Sequence, residues 1–346
     1  DQGRLDETTG PSGGVSKVYF SHLADRRRIT LSYPKYVSGT NTYHGPFTYS
    51  VTNLAGQVEA SGVVGLTTST AAISTHIDET DSDPLLAIGI GSVDRLTKHV
   101  FDDSGTQREE SWAYFDIPTS GDGTEGTNYD ATYFGYDSMG RQWRTKEPSG
   151  TISRTTFDTQ GRTSNRWIGT NDSSFDGGES SGTDNMVKTE ALEYDRGNDA
   201  ENGYLTKRTL YVEDGTTDKR EWSYSHDLRG NVLLETAPVK PHAFTKVDNM
   251  GRVVAVGQFS STASITVGTD DPTTETTNRL ALSQTFFDEM GRAWKTQRHK
   301  IDASDGSDDD NLQYLTWFDE EGRAVKTDAD ELAKWTFDRL GRKTHK

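Results

Sequence analysis

The chain has 346 residues, no cysteine and a formal net charge of −17. The absence of cysteine excludes disulfides and thiolate chemistry, and the acidic charge disfavours binding to nucleic acid or to anionic membrane surfaces. Only 31% of the residues are hydrophobic but 10% are aromatic, and aromatics at period-two positions favour a folded sheet over a disordered chain.

Residues 1–100 contain runs that are typical of short strands, separated by turns rich in Gly, Ser and Thr. The runs are residues 17–20, 28–33, 46–51 and 57–64. Residues 71–83 predict an outward loop, and the most apolar run, residues 85–90, predicts a buried strand. This region holds only degenerate copies of the unit that organises residues 101–346.

One short unit recurs along residues 101–346: an aromatic residue, Asp, any two residues, Gly and Arg. The clean copies are Tyr136-Asp137 to Gly140-Arg141, Phe157-Asp158 to Gly161-Arg162, His226-Asp227 to Gly230-Asn231, Val247-Asp248 to Gly251-Arg252, Phe287-Asp288 to Gly291-Arg292, Phe318-Asp319 to Gly322-Arg323 and Phe337-Asp338 to Gly341-Arg342. Several neighbouring copies lie about 20 residues apart, which indicates a structural repeat. Looser copies start at Asn53 and Asp102, and the turn that begins at Asp195 looks lengthened as far as Gly203.

The chemistry of this unit is that of a tight chain reversal. Asp at the first position can accept a backbone N–H two residues on, and Gly tolerates a left-handed conformation. A type I turn followed by a left-handed Gly is a common three-residue hairpin loop with a bulge. Each unit therefore predicts one β-hairpin, and we expect its Arg to pair with strand or turn carboxylates of adjacent hairpins.

The unit resembles the YD repeat, Tyr-Asp-x-x-Gly-Arg, of the Rhs/teneurin/Tc-toxin-shell-like family. The resemblance covers residues 101–346 and is weaker before them. It implies hairpins wound into a continuous, curved sheet that forms part of a hollow β-shell. Because the sequence starts and stops within repeat units, we expect it to be a segment of a longer chain.

Four polar insertions interrupt the repeats, at residues 116–128, 169–184, 260–278 and 301–311. Each lies on the side away from the repeat turns, between a return strand and the next outgoing strand. All are rich in Ser, Thr, Gly and Asp, which predicts surface loops or hairpin extensions. In the last one, Asp302, Asp305, Asp308 and Asp310 form a candidate calcium site because closely spaced carboxylates can supply its oxygen ligands; a solvated acidic loop is the alternative.

No catalytic or cofactor-binding residue is predicted. Gly121, Gly123 and Gly126 match a dinucleotide-binding spacing, but no helix is expected to follow them, and Asp122 and Glu125 would repel a pyrophosphate. The histidines show no ligand spacing, and the regular position of the repeat Asp residues favours a capping role over acid–base chemistry.

The sequence thus predicts an all-β array of YD-type hairpins with a structural, non-enzymatic role. By resemblance, that role is the wall of a secreted or cell-surface shell that encloses or presents an effector domain. The alternative is a surface adhesion or filament module whose acidic insertions make the contacts. Expected partners are flanking repeats, an enclosed toxin or other copies, without nucleic acid. No apolar run approaches the roughly 20 residues of a membrane helix, so no membrane insertion is expected.

Overall fold

The computed structural model describes residues 4–9, 15–65, 68–70, 77–88, 93–176, 183–195, 203–212, 218–328 and 332–345. Within these ranges the chain forms antiparallel strands and one four-residue helix. The predicted all-β hairpin array is confirmed. The chain divides into two compact units, residues 1–157 with 166–187, and residues 158–165 with 188–346. The sequence-based division at residue 100 concerns repeat quality and stays a prediction.

The first unit is built from short antiparallel strands and the helix. Its elements are β1 (Arg4–Thr9), β2 (Val15–His22), β3 (Arg28–Val37), β4 (Thr42–His44), β5 (Phe47–Thr52), β6 (Val58–Val64), β7 (Thr68–Ser69), α1 (Pro84–Ala87), β8 (Val93–Phe101), β9 (Arg108–Tyr114), β10 (Tyr129–Tyr136), β11 (Gln142–Lys146) and β12 (Ile152–Phe157). The pairing order is β1-β2-β3-β5-β6-β8-β9-β10-β11-β12, and β4 joins β3 to β7. The strands predicted near residues 17–20, 28–33, 46–51 and 57–64 are confirmed as β2, β3, β5 and β6.

The second unit continues the same pattern of consecutive antiparallel pairs. After β13 (Thr163–Gly169), which spans the division, its strands are β14 (Val187–Tyr194), β15 (Leu205–Tyr211), β16 (Lys219–His226), β17 (Val232–Thr236), β18 (His242–Val247), β19 (Val253–Phe259), β20 (Arg279–Phe287), β21 (Ala293–Ile301), β22 (Asp308–Phe318), β23 (Ala324–Asp328), β24 (Ala333–Lys334), β25 (Thr336–Phe337) and β26 (Lys343–His345). Each strand from β14 to β24 pairs with the next. The last hairpin, β25 with β26, forms a separate two-stranded sheet.

The larger core lies in the first unit, where one face of the sheet is apolar. Along β3 the buried residues alternate, with Ile29, Leu31 and Tyr33 inaccessible to solvent. Phe47 on β5 packs edge-on against the Tyr33 ring, at 5.1 Å between centroids. This period-two burial is typical of a sheet with one covered face.

The predicted buried strand at residues 85–90 is wrong for residues 85–87, and residues 89–90 lie outside the described ranges. Residues 84–87 form α1 instead, because Asp83 caps the helix by accepting the Leu85 N–H at 3.0 Å and Pro84 occupies its first turn. This run is apolar because Ala87 and Ile88 are buried in the core, and not because it forms a strand. Of the predicted outward loop at residues 71–83, only residues 77–83 are described, and Ile77 forms a bridge with Ile88.

The insertions are more than surface loops, because two of them contribute side chains to small apolar clusters and Ile117 of the first packs against the larger core. Residues 116–128 lead into β10, where Tyr129 stacks on Trp112 at 4.3 Å. In the second insertion, Phe175 contacts Trp167 edge-on at 5.1 Å. In the third, Ile265 and Val267 pack against a cluster that includes Phe259.

The fourth insertion is shorter than predicted. Strand β21 continues to Ile301 and β22 begins at Asp308, so residues 308–311 belong to a strand. The remaining loop, residues 302–307, is a tight turn in which Asp302 N–H donates to the Ser307 carbonyl at 2.8 Å. The acidic run therefore lies partly within the sheet, because Asp308, Asp309 and Asp310 are exposed residues of β22.

Candidate functional site

Each repeat turn is closed by hydrogen bonds to the backbone of its Asp and to the carboxylate of the same residue. In the turn that starts at Asp288, the Asp288 N–H donates to the Arg292 carbonyl and the Gly291 N–H donates to the Asp288 carbonyl, both at 2.9 Å. The Asp288 carboxylate accepts the Met290 N–H at 3.0 Å and the Arg292 N–H at 2.8 Å. Gly291 has a φ of 80°, the left-handed conformation that glycine adopts without strain. The predicted hairpin turn with a bulge is confirmed.

Each repeat Arg pairs with the Asp of its own turn, four residues earlier. The Nε–Oδ2 distances are 2.7 Å for Arg141–Asp137, Arg162–Asp158, Arg252–Asp248, Arg292–Asp288 and Arg342–Asp338, and 2.6 Å for Arg323–Asp319. The predicted pairing with carboxylates of adjacent hairpins is therefore wrong as a rule, because the tight loop brings the two side chains of one turn together. Arg162 is an exception, since it also reaches Asp195 at 2.9 Å.

The guanidinium of every repeat Arg except Arg342 also lies over the aromatic ring that opens the next repeat. The distances from Cζ to the ring centroid are 4.2 Å for Arg141–Phe157, 4.2 Å for Arg162–Tyr194, 4.3 Å for Arg252–Phe287, 4.6 Å for Arg292–Phe318 and 4.9 Å for Arg323–Phe337. A guanidinium within about 6 Å of a ring centroid makes a favourable cation–π contact. One side chain thus closes its own turn and contacts the next hairpin. We call this series of contacts the turn ladder.

The lengthened turn at Asp195 keeps the ladder with different chemistry. Asp195 N–H donates to the Tyr204 carbonyl at 3.2 Å, and the Asp195 carboxylate accepts the Gly203 N–H at 2.8 Å. Tyr204 therefore occupies the position of the repeat Arg, and its ring lies 5.2 Å from that of His226, which opens the next repeat. The predicted lengthening is confirmed at both described ends of this turn.

The ladder lacks this contact at one step, and both of its members are replaced there. Asn231 stands where other repeats have Arg, and the next repeat opens with Val247 in place of an aromatic residue. Asn231 retains the contact within its turn, because its Nδ2 donates to Asp227 Oδ2 at 2.8 Å. Among the clean copies, Asn231 is where Arg is replaced, and the aromatic residue that should follow is replaced at the same step. This joint replacement is the sequence signal that could have revealed the ladder.

The turn carboxylates are stabilised in their ionised form. For Asp248, the hydrogen bond from the Arg252 side chain, followed by that from its backbone N–H, lowers the pKa of the carboxyl. The pKa of Asp288 is lowered chiefly by the backbone N–H of Arg292. Hydrogen bonds to a carboxylate favour its charged form, so these turns depend on ionised Asp.

The acidic residues of the candidate calcium site each have partners of their own. Asp302 accepts the Ser304 N–H at 2.7 Å, Asp305 the Ser307 N–H at 2.9 Å and Asp310 the Asn311 N–H at 2.7 Å, whereas Asp308 lies 2.8 Å from His299 and 3.6 Å from Arg279. Across the described ranges, no group of three or more His, Cys, Asp or Glu side chains is placed to hold a metal ion. The calcium site stays a prediction.

The insertions are fixed to the sheet by charged and polar contacts. Arg144 Nε lies 2.7 Å from Asp172 in the second insertion. In the second unit, the buried Arg279 donates to the Gly306 carbonyl at 2.9 Å and to the Pro272 and Thr273 carbonyls at 3.3 and 3.2 Å. Arg279 therefore links the third and fourth insertions, a role that its sequence position does not reveal.

Known proteins resemble this chain only in structure. No protein-family model matches it, and no curated protein matches it. A chain of the Photorhabdus luminescens Tc holotoxin pore is 13% identical, with a TM-score of 0.28, over 98% of this chain and 18% of that chain. The corresponding values are 13%, 0.25, 98% and 19% for a crystal structure of TcdB2-TccC3-TEV, and 12%, 0.24, 99% and 22% for one of TcdB2-TccC3-Cdc42.

The chain spans about a fifth of the length of each of these matched chains. Of the helices in the described part of the chain, none combines the length and apolarity needed to cross a membrane.

Proposed function

We propose that this chain is a structural wall segment of a secreted or cell-surface β-shell of the YD-repeat type, which encloses or presents a separate effector domain. The observation that supports this most is the turn ladder. Each step both closes one hairpin and binds the next, so the repeated side chains are used for wall cohesion. The role proposed is structural and not enzymatic.

The contacts join each repeat to the next, as an extended wall requires. In the second unit, Arg252, Arg292 and Arg323 each contact the ring that opens the following repeat. Such nearest-neighbour contacts stabilise a repeat array of any length, because each repeat needs only the one beside it. We propose flanking repeats of a longer chain as the direct partners, with an enclosed polypeptide or further copies as the others.

Protease protection tests whether the native particle encloses an effector. We expect one polypeptide to survive protease treatment of the intact particle and to be digested after the wall is opened with denaturant. Mass spectrometry before and after treatment identifies that polypeptide. If every non-wall polypeptide is digested from the intact particle, the enclosing role is excluded.

The alternative function is surface adhesion through the acidic insertions. The observation that favours it is that the insertions are held in fixed positions, as Arg144 holds Asp172 and Arg279 holds Gly306. Preordered loops lose little conformational entropy on binding. Replacing residues 302–307 by a Gly/Ser loop of equal length should abolish surface attachment if adhesion is the function, and unchanged attachment would exclude this loop.

A further inference from the structure

A small chamber lies in the first unit beside α1, and one buried hydroxyl on its wall has no hydrogen-bond partner among the described residues. The Tyr49 side chain lines the chamber and the residue is 3% exposed. Its hydroxyl makes no hydrogen bond to any described residue. Buried hydroxyl groups are normally satisfied, so a group bound in the chamber can supply the hydrogen bond that the protein does not.

The position of the Tyr49 ring is fixed by its neighbours. A Cβ on residue 62 would lie 2.4 Å from Tyr49 Cε1, so the ring lies directly against Gly62 on the adjacent strand β6. Burial and then the Asp83 carboxylate raise the pKa of Tyr49. The hydroxyl is therefore neutral at physiological pH and can accept a hydrogen bond from a donor in the chamber.

The charges around the chamber leave one negative charge uncompensated. Arg27 pairs with Glu59, and Lys98 pairs with Asp122. The side chain of the remaining carboxylate, Asp83, accepts backbone N–H groups of Leu85 and Gly121, and no cation pairs with it within the described ranges. One further positive charge would neutralise the net charge of the side chains that line the chamber.

The size of the chamber restricts what can supply that charge. Its volume is about 20 Å³, enough for one group the size of a water molecule. An alkylammonium group is of that size and carries three N–H donors and no acceptor. Such a group can donate hydrogen bonds to the Tyr49 hydroxyl and to the carboxylates at the same time.

The chamber adjoins an open cleft of about 680 Å³ that can hold the rest of such a ligand. The cleft and the chamber share Arg27, Glu59, Lys98 and Asp122. Phe101 also lines the cleft and offers an apolar surface for an alkyl chain.

We propose that the chamber and cleft form a binding site for a primary alkylammonium group, carried by a lysine side chain or by a free polyamine. The ammonium enters the chamber and donates to the Tyr49 hydroxyl and to Asp83. The alkyl chain extends into the cleft.

Isothermal titration calorimetry of the whole chain at low ionic strength tests this site. The probe is cadaverine, and its control is the hexamethylated bis-quaternary analogue, which has equal charge but no N–H donor and heads too large for the chamber. We expect saturable binding of cadaverine at one site and no comparable binding of the analogue. Titration with Nα-acetyl-lysine amide shows whether a lysine side chain suffices or a free diamine is required.

Two conservative variants assign the binding to the chamber. Tyr49→Phe removes only the unpartnered hydroxyl and should weaken cadaverine binding about tenfold, the typical loss of a hydrogen bond to a charged group. Asp83→Asn keeps the helix cap, since Asn caps as well as Asp, and should weaken binding at least as much. Tyr19→Phe, in the same core but away from the cleft, is the matched control and should bind as the wild type does.

Thermal unfolding confirms that each variant is folded before it is titrated. Equal affinity for the quaternary analogue, wild-type binding by Tyr49→Phe, or no saturable binding at all would overturn the proposal. In the last case the chamber would hold water only.

Discussion

At the scale of single residues, the repeat Arg owes its role to the shape of its side chain. Arg292 places Nε 2.7 Å from Asp288 while Cζ lies 4.6 Å from the Phe318 ring centroid. A planar guanidinium can form an edge-on hydrogen bond and a face-on ring contact at once, whereas a lysine ammonium is a point charge. Arginine at this position is therefore not interchangeable with lysine.

Arg292→Lys should lower the free energy of unfolding by about 1 kcal/mol, because the ring contact and the directed ion pair are both weakened in a half-buried setting. The matched control is Arg342→Lys. Arg342 pairs with Asp338 at 2.7 Å, but its side chain is 75% exposed and has no ring partner among the described residues. Urea unfolding should show little change for the control, and equal losses for the two variants would contradict the ladder.

The interrupted step can be repaired. We expect Asn231→Arg and Val247→Phe to stabilise the chain together by about 0.5–1 kcal/mol more than the sum of the single variants, since only the pair recreates the guanidinium–ring contact. A double-mutant cycle of urea unfolding energies measures this coupling. A coupling energy of zero would show that the ring contact contributes nothing at this position.

At the scale of elements, the insertions are held by side chains of the sheet. Arg279, at the start of β20, has a side chain that is 1% exposed and donates to carbonyls from two insertions. A buried cation of this kind leaves several acceptors unsatisfied when it is removed. Its loss should therefore affect both insertions together.

Arg279→Gln should cost about 2–4 kcal/mol of unfolding free energy and make residues 260–278 more sensitive to limited proteolysis. Arg298→Gln, on the exposed side of β21, is the control for loss of a positive charge. Urea unfolding and timed proteolysis measure the two effects. The proposed link between insertions fails if the two variants behave alike.

The sequence could predict the repeat turns because all their determinants lie within five residues. An Asp followed three residues later by a Gly, as in Asp288 and Gly291, specifies the chain reversal independently of the residues around the turn. The sequence did not predict that Arg292 pairs with Asp288, because the choice between this Asp and the carboxylates of adjacent hairpins depends on the side-chain geometry of the folded turn. It also failed at Asp83 and Pro84, where a helix cap interrupts an apolar run that resembles a strand.

The insertions show a second limit of sequence reasoning. Their composition predicts surface loops, but Phe175 and Ile265, which belong to two of them, pack against apolar clusters of the sheet. The chamber at Tyr49 could not be predicted from the sequence either, because its side chains meet only when strands β5, β6 and β8 and helix α1 are assembled.

At the scale of the whole molecule, the turn carboxylates make stability depend on pH. Their pKa values are lowered at Asp137, Asp158, Asp227, Asp248, Asp288, Asp319 and Asp338. A carboxyl whose folded-state pKa is lowered stabilises the fold above its unfolded-state pKa, about 3.9, and that stabilisation is lost as pH falls through the folded-state pKa.

The contribution of these carboxylates to the urea midpoint should therefore be constant between about pH 5 and 7. It should be lost below about pH 4, where the midpoint falls steeply. Asp288→Asn, which cannot titrate at that position, should show a smaller fall than the wild type. An identical acid transition in the variant would mean that the turn carboxylates do not control acid stability.

Cryo-electron microscopy of the native particle tests the proposal that the chain is part of a shell wall. We expect a closed, hollow particle whose wall contains these hairpins in sequence order, with neighbouring turns joined by the ladder and density inside the cavity. An open fibre, or a ring of many copies without an enclosed cavity, would exclude a shell wall.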